Sequence, residues 1–184
     1  MRTSAKFKGL IFGTILTLCS ANVNAQKNSI LGDPKNYDQG FRLGFGFNGG
    51  FIPDDLYDFA IGGDIRLQYD FSKKTSITLT TGFTNLFVSN EKDLGFIPVK
   101  GGFKMFWWED RFYALAEVGV GFPVTNDYDD TVDNTLIISP GIGYATKYVD
   151  LSLRYEHYTE FPSNDGLDRG MGQIALRLAY GFRL

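Results

Sequence analysis

The chain has 184 residues, a formal charge of −3, 43% apolar and 16% aromatic residues, and 22 glycines. That length suits one domain, and the composition is too apolar and too aromatic for a disordered chain. There is no basic block to bind nucleic acid, one Cys and one His exclude a disulfide framework and a Cys/His zinc site, and no apolar run reaches the ~18 residues of a spanning helix.

Residues 1–25 read as a secretory signal. Arg2, Lys6 and Lys8 precede a short apolar stretch, Leu10 to Leu18, and Val23-Asn24-Ala25 is a small-residue cleavage site. Cleavage after Ala25 discards Cys19 and leaves 159 residues without cysteine. It removes three basic residues and no acidic one, which takes the charge from −3 to −6. Residues 26–40 form a polar periplasmic leader, and residues 41–184 carry the fold.

From Phe41 onward the dominant signal is alternation. In the first segment Phe41, Leu43, Phe45, Phe47 and Phe51 alternate with Arg42, Gly44, Gly46 and Asn48. In the second, Phe59, Ile61, Ile65 and Leu67 face one way and Ala60, Gly62, Asp64 and Arg66 the other. Ile77, Leu79, Thr81 and Phe83 mark the third, and Ile97, Val99, Phe103, Met105 and Trp107 the fourth. The fifth runs from Phe112 to Phe122, the sixth from Leu136 to Ala145, the seventh from Val149 to Glu156 and the eighth from Gln173 to Leu184. These are eight strands of roughly 11–14 residues, long for a globular sheet and right for tilted strands that cross a membrane. Phe71–Thr75, Glu109-Asp110 and Tyr148-Val149 are tight connections; Pro53–Asp58, Ser89–Leu94, Val124–Asn134 and Glu160–Arg169 are longer. Strict alternation of short and long is the pattern of an up-and-down barrel with both termini on one side. The fold class is all-β, an eight-stranded antiparallel up-and-down transmembrane β-barrel.

Residue size decides which face is inside. One face carries Phe, Leu, Ile and Tyr; the other carries Gly, Ser, Thr and Ala, punctuated by charges. A narrow eight-stranded lumen is just wide enough for side chains to fill, so small residues beside a few large charges fit the inside. A Glu109-Asp110 turn puts Glu117 opposite Gly102, diagonal to Lys100 and Lys104. A Tyr148-Val149 turn puts Arg154 opposite Gly143 and Glu156 opposite Gly141. The expected lumen charges are Arg42, Arg66, Lys100, Lys104, Arg154 and Arg177 against Asp64, Glu117 and Glu156, a net-positive set. They form either an anion-preferring narrow path or a salt-bridged plug; the narrowness of the barrel favours the plug. Aromatics gather at both ends, Tyr69, Phe71, Trp107, Trp108, Phe112, Tyr144 and Tyr148 near the tight turns, and Phe51, Phe59, Phe87, Phe96 and Phe122 near the longer loops. Such belts anchor strands at headgroup level.

Five stretches resemble the small outer-membrane β-barrels of Gram-negative bacteria, the broad group of porin-family and OmpW- or OmpA-like barrels: FIPVKGGFKMFW (96–107), RFYALAEVGVGF (111–122), ISPGIGY (138–144), VDLSLRYEHY (149–158) and IALRLAYGFRL (174–184). The last also resembles a barrel-insertion signal, with Arg177 at its polar position and Phe182 and Leu184 at its hydrophobic ones; Ala179 replaces the usual glycine and the terminal residue is not aromatic. The resemblance implies a monomer in the outer membrane, in contact with lipid and lipopolysaccharide and inserted by the barrel-assembly machinery. It also implies a structural, envelope or surface-interaction role; the alternative is a narrow channel or transporter for small anionic or hydrophobic compounds.

The longer loops hold 12 of the 21 carboxylates. Asp127, Asp129, Asp130 and Asp133 offer oxygen ligands for a cation but lack EF-hand spacing, so a solvated acidic rim is expected and no dedicated metal site. His157, with Thr159 or Ser163-Asn164 nearby, resembles the His-x-Ser-Asn constellation of lipid A deacylases. Threonine replaces the serine, Ser163-Asn164 is displaced, and the last strand offers no carboxylate to orient the histidine. No enzyme activity, catalytic residue or cofactor is expected.

Overall fold

The computed structural model describes residues 39–53, 57–88, 93–107, 111–125, 134–161 and 170–184. The signal segment, Trp108, the Glu109-Asp110 turn, the aspartates at 127, 129, 130 and 133, and Ser163-Asn164 lie outside these residues.

Eight strands form a closed antiparallel barrel in sequence order. They are β1 Gly40–Phe51, β2 Tyr57–Asp70, β3 Thr75–Val88, β4 Leu94–Trp107, β5 Phe112–Pro123, β6 Thr135–Ala145, β7 Val149–Tyr158 and β8 Met171–Arg183. β1 closes the cylinder against β8, from Arg42↔Arg183 to Phe51↔Ile174. Closure leaves no sheet edge, which a lipid environment requires of strands.

The period-two pattern separates the faces. Phe47, Leu79, Met105, Val118, Ile142 and Leu176 point outward and are exposed, whereas Asp64, Arg66, Lys100, Glu117, Arg154 and Arg177 are buried inside. An apolar outer wall around a polar interior inverts a soluble barrel and matches a lipid-facing one. Phe71, Trp107, Phe112 and Tyr148 are exposed near the tight turns, and Phe51, Phe59 and Phe122 near the longer loops.

Register at β4–β5 places Gly102 opposite Glu117. At β6–β7 it differs from the expected one by two residues: Ala145 pairs with Asp150, and Arg154 faces Gly141, not Gly143. The cause is local. Val149 already belongs to β7, paired with Tyr180, and the Thr146 N–H donates to the Val149 carbonyl at 2.7 Å. The tight connection is therefore Thr146–Tyr148.

Phe96 also differs from the expected placement. It is not in an outer belt but fully buried in the lumen, on the inward parity shared with Pro98 and Lys100. Around it pack Ile52, Tyr57, Leu86, Leu94, Ile137, Tyr158, Phe161 and Met171, an apolar cap inside the loop end of the barrel. Phe96 meets Tyr158 and Phe161 edge-on at 5.4 and 5.1 Å between ring centres.

Candidate functional site: the charged lumen

Below the apolar cap, inward side chains from most of the strands meet in one network. Its hub is Glu117 on β5. One carboxylate oxygen accepts from Arg66 Nη2 at 2.9 Å and from Thr80 Oγ1 at 3.0 Å. The other accepts from Arg154 Nη1 at 3.1 Å. Lys100 Nζ stands 4.0 Å from Glu117 and donates to Glu156 at 2.6 Å. Glu156 also accepts from the Tyr158 hydroxyl at 2.6 Å and from Gln173 Nε2 at 2.7 Å, which ties the charge layer to the cap.

Asp64 on β2 holds Arg177 on β8 through Nε at 2.8 Å and Nη2 at 2.5 Å, a bidentate fork. Asn48 on β1 links the two halves, donating to Asp64 at 2.7 Å and accepting from Arg154 at 2.6 Å. Nearer the turn end Lys104 donates to Asp150 at 2.5 Å, with its ammonium 4.1 Å from the Tyr113 ring centre. Arg42 donates to Asp70 at 2.7 Å at the mouth.

All nine expected lumen charges face inward; eight are buried, and Arg42 is partly exposed at the turn end. Two carboxylates were missing from the expected set, Asp70 and Asp150. Both lie on the inward parity, which was the available signal. With them the lumen holds six cations and five carboxylates among the described residues, so it is close to balanced and not strongly positive. Buried charges are tolerated where partners are in hydrogen-bond reach, and here every one of the eleven has a carboxylate or a cation beside it.

Glycines make the space. A Cβ on Gly46 would stand 2.7 Å from Arg177 Nε, one on Gly102 2.6 Å from Glu117 Cγ, and one on Gly141 2.8 Å from Arg154 Cγ. Gly143, with its changed register, instead makes room for the Tyr113 ring.

His157 lies on the outward parity of β7, half-buried and stacked on Tyr155 at 6.5 Å. The Thr159 hydroxyl accepts the Leu136 N–H at 3.3 Å. Among the described residues no group of three or more His, Cys, Asp or Glu side chains is placed to hold a metal.

No family model matches the chain, and no curated protein sequence matches it. Solved structures do. The N-terminal β-barrel domain of OprF from Pseudomonas aeruginosa superposes with a TM-score of 0.54 at 12% identity, covering 79% of this chain and 100% of that domain. The chain has the fold of the eight-stranded outer-membrane barrels. Ail, the attachment invasion locus protein of Yersinia pestis, solved with the heparin analogue sucrose octasulfate, gives 0.54 at 14% identity with the same coverage. Ail in a phospholipid bilayer nanodisc gives 0.52 at 13% identity. At these identities the likeness shows the fold alone.

Proposed function

We propose that this chain is a non-enzymatic outer-membrane barrel with a structural, envelope-stabilising or surface-interaction role, and that its lumen is closed. The observation that carries this reading is the double seal. The Glu117–Arg66–Arg154 layer spans the middle of the barrel, and the apolar cap around Phe96 fills its loop end. A path for solutes would have to break both at once. The apolar outer wall then serves as the lipid contact, and the acidic loop sequences suit a solvated rim beside lipopolysaccharide. The signal, cleaved after Ala25, directs export, and the leader of residues 26–40 stays with the exported barrel.

Deleting the chain from its host tests the role. Greater sensitivity of the envelope to detergent and chelator, restored by the intact chain, is expected. Unchanged sensitivity together with lost uptake of a small solute would contradict it and favour a transporter.

A further inference from the structure

At the turn end the lumen opens into a cavity of about 460 Å³ whose lining includes Arg66 and Arg177 of the charge network. Its lining is strongly unbalanced. Six cations line it, Arg42, Arg66, Lys73, Arg111, Lys147 and Arg177, against two carboxylates, Asp70 and Asp150; Arg66 and Arg177 are also paired behind the lining, with Glu117 and Asp64. Those carboxylates are already engaged: Asp70 by Arg42, Gln68 and Ser76, Asp150 by Lys104 and the Tyr113 hydroxyl. In the floor, the Arg66 guanidinium is only 3% exposed. Its Nε and Nη2 are used by Thr80 and Glu117, but Nη1 has no hydrogen-bond partner. A buried guanidinium N–H left unpaired is costly, and an oxygen ligand that reaches it recovers that cost.

We propose that this cavity is a binding site for a small free anion carrying a carboxylate or phosphate group, separate from any conduction through the barrel. Lys73 and Lys147 stand exposed on two different tight connections at the mouth, and Arg66 and Arg177 form the floor. The volume falls in the range of small-molecule pockets. Guanidinium groups in the floor suit a planar or tetrahedral oxyanion, and the mouth lysines raise its local concentration. Arg66 Nη1 is shielded in this structure, so a ligand that engages it has to draw the guanidinium toward the cavity.

The test is a titration of the refolded chain in nanodiscs of zwitterionic lipid, followed by backbone amide NMR. The probes are succinate and inorganic phosphate, with chloride replaced at constant ionic strength. Saturable shifts are expected at Gly44, Ala145 and Gly181, which line the cavity, and at Arg66. Lys73→Gln and Lys147→Gln should each weaken the apparent affinity about two- to fivefold, the size of one solvent-screened charge interaction. Lys74→Gln, exposed beside the cavity but not lining it, should leave affinity unchanged. Three results would overturn the proposal: shifts that never saturate, affinity untouched in the Lys73/Lys147 double variant, or shifts that arise only when phosphatidylglycerol is added and no free anion is present. The last would assign the cavity to a lipid headgroup. Because conductance is not read, failure here leaves the closed-lumen reading standing, and the reverse holds too.

Discussion

Glu117 on β5 and Arg66 on β2 meet across the lumen at 2.9 Å, although 51 residues separate them in sequence. Neither is on a neighbouring strand of the other, so the contact crosses the interior of the barrel. Both ions are almost completely buried, and Glu117 is shared with Arg154 and Thr80. Removing Glu117 takes away the carboxylate that Arg66 pairs with and leaves Arg154 with Glu156 at 3.5 Å. Glu117→Ala should destabilise the barrel by about 3–5 kcal/mol. Equilibrium unfolding in urea from lipid vesicles measures this; a loss within experimental error would show that water already screens the cluster.

Gly102 faces Glu117 in the ladder, and a Cβ there would come 2.6 Å from Glu117 Cγ and 2.7 Å from Thr78 Oγ1. Its neighbour Gly101 faces outward, with nothing within 4 Å of an added Cβ. Gly102→Ala should cost about 1–3 kcal/mol through overpacking, whereas Gly101→Ala should stay within about 0.5 kcal/mol. The same unfolding measurement compares them, and equal effects would contradict the assignment of faces.

Much of the wall was legible in the sequence because a barrel strand borders two solvents at once. Lipid outside and a crowded polar lumen inside force each residue to declare its side, and alternation records the choice. The β4–β5 register was legible because reading Glu109-Asp110 as a two-residue turn places Gly102 across from Glu117, the pairing observed. The β6–β7 register was not. Tyr148-Val149 resembles a turn by position, but Val149 is apolar and continues the outward face of β7. The apolar cap was hidden because Leu86, Phe96, Ile137 and Met171 occupy inward positions where polar residues were expected; periodicity gives the side, not the depth. Asp70 and Asp150 were not legible as lumen charges because each sits at a strand end, next to a turn whose acids are usually solvated.

The outer wall makes a sharper prediction. Val118 lies in mid-strand on β5, exposed and paired laterally with Gly101 and Ile138. Val118→Arg should destabilise the barrel by about 2–4 kcal/mol in a bilayer, the cost of a cation at the midplane. The penalty should shrink in short-chain detergent. An unchanged stability in vesicles would mean that this face does not meet lipid.

Gly170, where the chain enters β8, has a φ of +67°, and a Cβ there would stand 2.9 Å from Thr159 Cα and collide with the Tyr158 carbonyl. Gly170→Ala should cost about 1–2 kcal/mol for the left-handed backbone alone, with the collision in addition. Thermal unfolding of the refolded variant reads this directly, and a wild-type midpoint would show that the backbone there is not left-handed.

Whether the lumen is closed is read by single-channel recording of the refolded chain in planar bilayers. A closed lumen gives a flat baseline at moderate voltage, with brief openings appearing only when the Glu117 hub and the Phe96 cap are removed together. A steady, reproducible conductance from the unaltered chain would contradict it.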